Sequence, residues 1–167
     1  MLAVLVVLSG IKAGLNWLSV IALLVGIAVV PGLIYKRSKG LFRRLGLADH
    51  WRNALVTALL FVGTVVCYLI PLPQPVPATV TALLVGNMGL LFFRRWLNVS
   101  AHVSVMTLFV TWVAAVVGGF ACLGLVLSPL MMVSRVTLGE HTWREALSGA
   151  ALGLGAFSCY LLAMTWR

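Results

Sequence analysis

Long apolar runs broken by short polar stretches set the rhythm of this chain. From Leu15 to Tyr35 the residues stay apolar for about one bilayer thickness, and the run ends at Lys36, Arg37 and Lys39. A second run, Asn53 to Ile70, stops at PLPQPVP, whose four prolines cannot continue a helix and predict an extended turn. A third, Ala78 to Phe93, returns to Arg94 and Arg95. Two shorter runs, Val103 to Val117 and Phe120 to Val133, flank Gly118 and Gly119, a pair suited to a tight turn. The last, Ala146 to Trp166, carries Gly149, Gly153 and Gly155, which offer a smooth face for close helix packing.

This pattern predicts an all-α, polytopic transmembrane helical bundle of about six helices, forming a single domain over residues 1–167. Gly10, Lys12, Gly14 and Asn16 interrupt the apolar pattern, so Leu2 to Ile11 reads either as a helical extension of the first run or as a separate short interfacial piece, and one long or broken first helix is the expectation. It lacks a basic segment before it and is expected to stay in the mature chain. If each run crosses once, the segments Lys36 to Arg52, Arg94 to His102, and Ser134 to Glu145 emerge on one side. The first of these carries six basic residues and is expected as a solvent-facing or interfacial loop.

Composition sharpens the class. With 62% apolar and 9% charged residues, the chain departs far from soluble domains, which average about 45–50% and 25%. A net charge of +9 would suggest nucleic acid in a soluble chain. Here the basic residues occupy the gaps between apolar runs, where they set orientation or meet phosphate headgroups, so the expected partner is the lipid bilayer and no nucleic acid. Ten of the twelve basic residues, including Arg37, Arg94, Arg95 and Arg144, fall on the predicted polar side. The positive-inside rule makes that side cytoplasmic. Cys67, Cys122 and Cys159 all lie in apolar runs without a CxxC spacing, which reads as small buried hydrophobes and not as a disulfide framework or zinc site.

The rare polar residues carry the chemistry. Ser134-Arg135 is followed by His141 and then Glu145. If the final helix begins within Thr142 to Glu145, His141 and Glu145 stand one turn apart on one side. A carboxylate accepting one imidazole N–H leaves the other ring nitrogen free as a nucleophile.

The stretch SRVTLGEHTWRE resembles the third signature of the type 2 phosphatidic acid phosphatase superfamily, SR-x5-H-x3-D, with Glu145 in place of the aspartate. The second signature, PSGH, is similar to Val99-Ser100-Ala101-His102, which keeps the serine and the histidine. The first, K-x6-RP, is matched by Lys36 and Arg43, with Arg44 where the proline stands. Arg44 and Arg52 compete with Arg43 for that role. The three matches run in the family's order over residues 36 to 145.

The resemblance implies an integral membrane lipid phosphatase of that family's fold, working without metal or cofactor. His141 would attack phosphorus to form a phosphohistidine, with Glu145 orienting it. His102 would protonate the leaving group and then activate water. Lys36, Arg43, Ser100 and Arg135 would hold the phosphoryl oxygens. Polyprenyl phosphate or diphosphate, phosphatidate and phosphatidylglycerophosphate are the substrates it allows. Physical chemistry supports the division of labour, since phosphoryl transfer gathers charge on equatorial oxygens that positioned cations and hydroxyls stabilise. Arg135 offers a bidentate fork and Lys36 a point charge.

Each residue also has a plainer reading. His102 fits an interfacial histidine at a helix start, and Ser100 a helix N-cap. Lys36, Arg43 and Arg135 fit flanking charges that set topology. Glu145 fits compensation of a helix dipole. Trp17, Trp51, Trp96, Trp143 and Trp166 near run ends read as interfacial anchors, and Met131 and Met132 as packing. The rival functions are a catalytically silent lipid-binding or scaffold member of the same family and a small transporter subunit. The transporter lacks a mid-membrane acidic residue to relay protons.

Overall fold

The computed structural model describes residues 1–44, 49–93 and 95–165, with the side chains of 39–44, 49, 50 and 52 outside that description. Every regular element among the described residues is helical. Helix α1 covers Leu2–Lys12 and α2 Trp17–Leu23. The chain then runs through a π-helical stretch, Leu24–Val29, straight into α3, Val30–Arg44. Pro31 explains the wide turns, because it lacks the N–H and crowds the carbonyl one turn before it. Helices α4 (Asp49–Leu69), α5 (Val76–Phe93) and α6 (Ala101–Val117) follow. A 3-10 stretch, Gly119–Val126, leads into α7 (Leu127–Thr137), and α8 spans Trp143–Thr165.

Four stretches are long and apolar enough to cross a bilayer: Trp17–Ser38, Val76–Phe93, Gly119–Thr137 and Trp143–Thr165. Asn53–Leu69 and Ala101–Val117 are shorter apolar helices. The apolar runs therefore became helices, as their length predicts, and the glycine hinge fell at Gly118 and Gly119, both at positive φ.

Two expectations about the helices need correction. The basic segment Lys36 to Arg52 is helical at both ends, with α3 continuing to Arg44 and α4 starting at Asp49. Lys, Arg and Leu are good helix formers, and a helix leaving an apolar layer keeps its backbone bonded internally. Leu2 to Ile11 does not run on into the next helix. The chain turns at Gly14, at φ 69°, and Asn16 caps α2 by accepting the Ser19 N–H at 2.9 Å. Helix α1 folds back with Gly10 against Val20, where a Cβ would stand 2.9 Å from the valine methyl. Its 11 residues reach about half the depth of a hydrocarbon layer. Leu5 and Val6 are fully buried in the core.

The core gathers around α5, which is apolar on every side and half buried. Val80, Leu83 and Leu84 of α5 pack with Leu60, Leu108, Trp112, Ala156 and Tyr160. Trp112 is 1% exposed and its indole N–H donates to Thr79 Oγ1 at 3.0 Å, an arrangement that satisfies the polar end of a buried ring. Trp17, Trp51, Trp96 and Trp143 are all exposed, as anchors would be. Of the cysteines, Cys67 is buried, Cys159 half-buried and Cys122 exposed. Cys122 corrects the expectation, because the 3-10 stretch that carries it buries no side chain.

Helices α6 and α8 run parallel in close contact. A Cβ on Gly149 would lie 2.6 Å from the Ser100 carbonyl oxygen, and one on Gly153 2.5 Å from that of Ser104. Gly86 and Gly89 of α5 face Ala156 and Leu152 of α8 in the opposite sense. Small residues let these backbones approach, and the approach brings the start of α6 against the start of α8.

Candidate functional site

The turn between α7 and α8 is built by two capping devices. Gly139, at φ 69°, ends α7 in a Schellman arrangement, with Gly139 N–H donating to Val136 C=O at 3.0 Å and Glu140 N–H to Arg135 C=O at 3.1 Å. Thr142 then starts α8 through a capping box: its N–H donates to Glu145 Oε2 at 2.9 Å, and Glu145 N–H donates to Thr142 Oγ1 at 3.4 Å. His141 lies between the two caps, with its own N–H on the Arg135 carbonyl at 3.3 Å.

This geometry sets His141 Nδ1 3.2 Å from the same Glu145 Oε2. The side chains are 14% and 20% exposed. The carboxylate is itself held by the Thr142 N–H, so it fixes the ring's orientation and directs the Nδ1 proton inward. Nε2 is left with its lone pair. The one-turn relation expected from the spacing is present.

Ser100 joins this cluster through the backbone. Its N–H donates to the Glu145 carbonyl at 3.2 Å. It occupies the N-cap of α6, yet its hydroxyl makes no capping bond. Ser100 Oγ is fully buried and without a hydrogen-bond partner among the described residues. The simple cap reading is thus incomplete, because a buried hydroxyl left unpaired costs about 1–3 kcal/mol.

The remaining site residues are placed less tightly. Arg135, 21% exposed, pairs its guanidinium with Glu140, a carboxylate the motif reading passed over. His102 is exposed in the first turn of α6, and Lys36 is exposed on α3. Neither side chain makes a hydrogen bond or ion pair among the described residues. Lys36 and Arg43 both lie within α3, seven positions apart. The side chain of Arg43, and those of its competitors Arg44 and Arg52, lie outside the described residues.

A cavity of about 180 Å³ links the start of α6 to α3, α4 and α5, with Val99, Ala101, Tyr35, Asn53 and Asn87 on its wall. The residues around Lys36 therefore share one end of the bundle with Ser100, His141 and Glu145. Among the described residues no three His, Cys, Asp or Glu side chains gather closely enough to hold a metal. The arrangement holds an oriented imidazole on a carboxylate whose backbone carbonyl accepts from the residue that carries a buried, unpartnered hydroxyl. The chain matches no family model, no curated protein and no solved structure.

The capping box and the Arg135–Glu140 pair were both readable as local patterns, T-x-x-E at a helix start and opposite charges across a glycine turn. Asn53 and Asn87 carried only one signal, an amide inside an apolar run.

Proposed function

We propose that this chain is a multi-pass membrane lipid phosphatase of the type 2 phosphatidic acid phosphatase kind, with its site on the cytoplasmic side. In that topology the α2–α3 rod, α4, α5, α6, the 3-10 stretch with α7, and α8 each cross once, and α1 enters halfway. The observation that carries the reading is the cluster at the start of α8: His141 Nδ1 on Glu145, with Ser100 bonded to the Glu145 backbone.

The substrate is a lipid phosphomonoester or diphosphate. His141 Nε2 forms a bond to phosphorus while the bond to the lipid oxygen breaks, and His102 delivers a proton to that oxygen. Water then attacks the phosphohistidine, giving its proton to His102 as the P–N bond breaks. Ser100, Arg135, Lys36 and Arg43 hold the phosphoryl oxygens. Arg135 retains several of its five N–H donors beyond the one on Glu140. No step calls for a metal or cofactor.

The test is phosphate release by the detergent-purified chain across prenyl and glycerolipid phosphates, with His141→Ala as the blank and parallel assays in EDTA. Turnover that disappears in His141→Ala and survives EDTA supports the mechanism. Full activity in that variant, or loss in EDTA restored by zinc or magnesium, refutes it. One observation favours a second reading, a silent lipid-binding or scaffold protein: Glu140 neutralises Arg135 and Glu145 is engaged as a helix cap. Wild-type protein that binds lipid phosphates and releases no phosphate would establish it.

A further inference from the structure

Two amides sit where an all-apolar helix bundle has no packing use for them. Asn87 lines three adjoining cavities of about 250, 180 and 80 Å³, and Asn53 lines the first two. The rest of the walls are mainly aliphatic, including Leu2, Ile27, Leu60 and Leu90. Asn87 Nδ2 donates to Thr57 Oγ1 at 2.9 Å. Its carbonyl oxygen and second amide hydrogen, and the whole Asn53 carboxamide, have no partner among the described residues. Apolar space with a few convergent polar groups is how a ligand pocket is built, and polar side chains inside a membrane-spanning bundle face such pockets by default.

Depth narrows the ligand. Asn87 lies six residues before the end of α5 and Asn53 four after the start of α4, hence about 9 Å and 6 Å inside those helix ends. The 180 Å³ cavity opens beside Val99 and Ala101, the neighbours of Ser100. A lipid whose phosphate reached Ser100 would place its next few atoms beside these amides. In a diacyl lipid those atoms are ester carbonyls, which accept N–H donors. A prenyl chain has no polar atom there and would leave the amides unpaired. We infer that these cavities bind the ester-linked backbone of a diacyl lipid, with Asn53 and Asn87 donating to its carbonyls. The inference rests on the lipid phosphatase reading for the headgroup and names the substrate class as a glycerolipid phosphate.

The test separates the two claims by measuring binding apart from turnover. Purified full-length protein in detergent is titrated with dioctanoylglycerol, its dioctyl ether analogue and geranylgeraniol, read by thermal unfolding, while phosphate release is assayed on the same samples. The ester should bind about tenfold more tightly than the other two, a difference worth one or two hydrogen bonds. Asn53→Leu and Asn87→Leu should each erode that preference, whereas Thr57→Val, which removes the hydroxyl's bonds to the Asn87 amide and to the Asn53 backbone carbonyl but leaves both carboxamides in place, should keep it. Equal binding of the three compounds by the wild type overturns the inference, as does a preference that outlasts both asparagine substitutions. Loss of the preference in Thr57→Val as complete as in Asn87→Leu also overturns it, because the amide then acts as interhelical glue. Ester preference without phosphate release leaves the site standing and removes the phosphatase, and phosphate release without ester preference does the reverse.

Discussion

Replacing Gly149 by alanine tests how the site is held together. A Cβ there would sit 2.6 Å from the Ser100 carbonyl oxygen and 3.3 Å from Val103 Cβ. The first partner is backbone, so it cannot rotate away. Restoring an ordinary contact requires the starts of α6 and α8 to part by about 0.8–1 Å. Alanine in a helix gains about 1 kcal/mol over glycine, and overpacking a close contact costs about 1–3 kcal/mol. The net effect runs from near zero to a loss of about 2 kcal/mol. Gly155, about one and two-thirds turns further on, is the internal control, because a Cβ there meets nothing within 4 Å. Gly155→Ala keeps the helix gain and lacks the clash. At about 2–4 °C per kcal/mol for a chain of this length, thermal unfolding in detergent should place Gly149→Ala several degrees below Gly155→Ala. The same displacement pulls Ser100 away from Glu145, and a misplacement near 1 Å can cost up to about 100-fold in rate. Phosphate release should fall in Gly149→Ala and hold in Gly155→Ala. Equal stability and equal turnover in the two variants would show that the Ser100–Glu145 contact does not organise the site.

Three further outcomes follow, two from contacts at the α7–α8 turn and one from the contact between α6 and the start of α7. Glu145→Gln keeps an oxygen for the Thr142 N–H but loses the charge beside His141, so turnover should drop by one to two orders of magnitude while helix capping costs about 1 kcal/mol or less; an unchanged kcat would remove Glu145 from the mechanism. Glu140→Gln frees the Arg135 guanidinium, and the KM for a lipid phosphate, read in the release assay, should fall severalfold; a KM that rises would mean the pair positions Arg135 for substrate. Ser128→Ala deletes the 2.6 Å hydrogen bond to Thr107 that ties α7 to α6, and unfolding should register a loss of about 0.6–1.7 kcal/mol; no shift would show that α7 is held by other contacts.

Much of the architecture was legible before any coordinates. Apolar runs of bilayer length, broken by Lys36–Lys39, the four prolines and Gly118–Gly119, mark where helices start and stop. This is because a backbone in an apolar layer has to bond within its own segment. The His141–Glu145 pairing was legible for the same kind of reason: four residues make one helical turn, and the turn's own caps set its register. The short, folded-back α1 and the helical Lys36–Arg44 were less legible, since a glycine-interrupted run and a basic run each fit helix or loop locally.

Tertiary structure alone decided what meets what. No local pattern says that Ser100 lies on the Glu145 backbone, since that contact depends on Gly149 and Gly153 letting two helices from distant parts of the chain close to backbone contact. Nor does any pattern say that Asn53 and Asn87 share a cavity, or that Trp112 is buried while four other tryptophans are exposed. Segment identity follows from short-range backbone bonding and hydropathy, both written along the chain. Side-chain company follows from which helix faces pack, and that is a property of the assembled bundle.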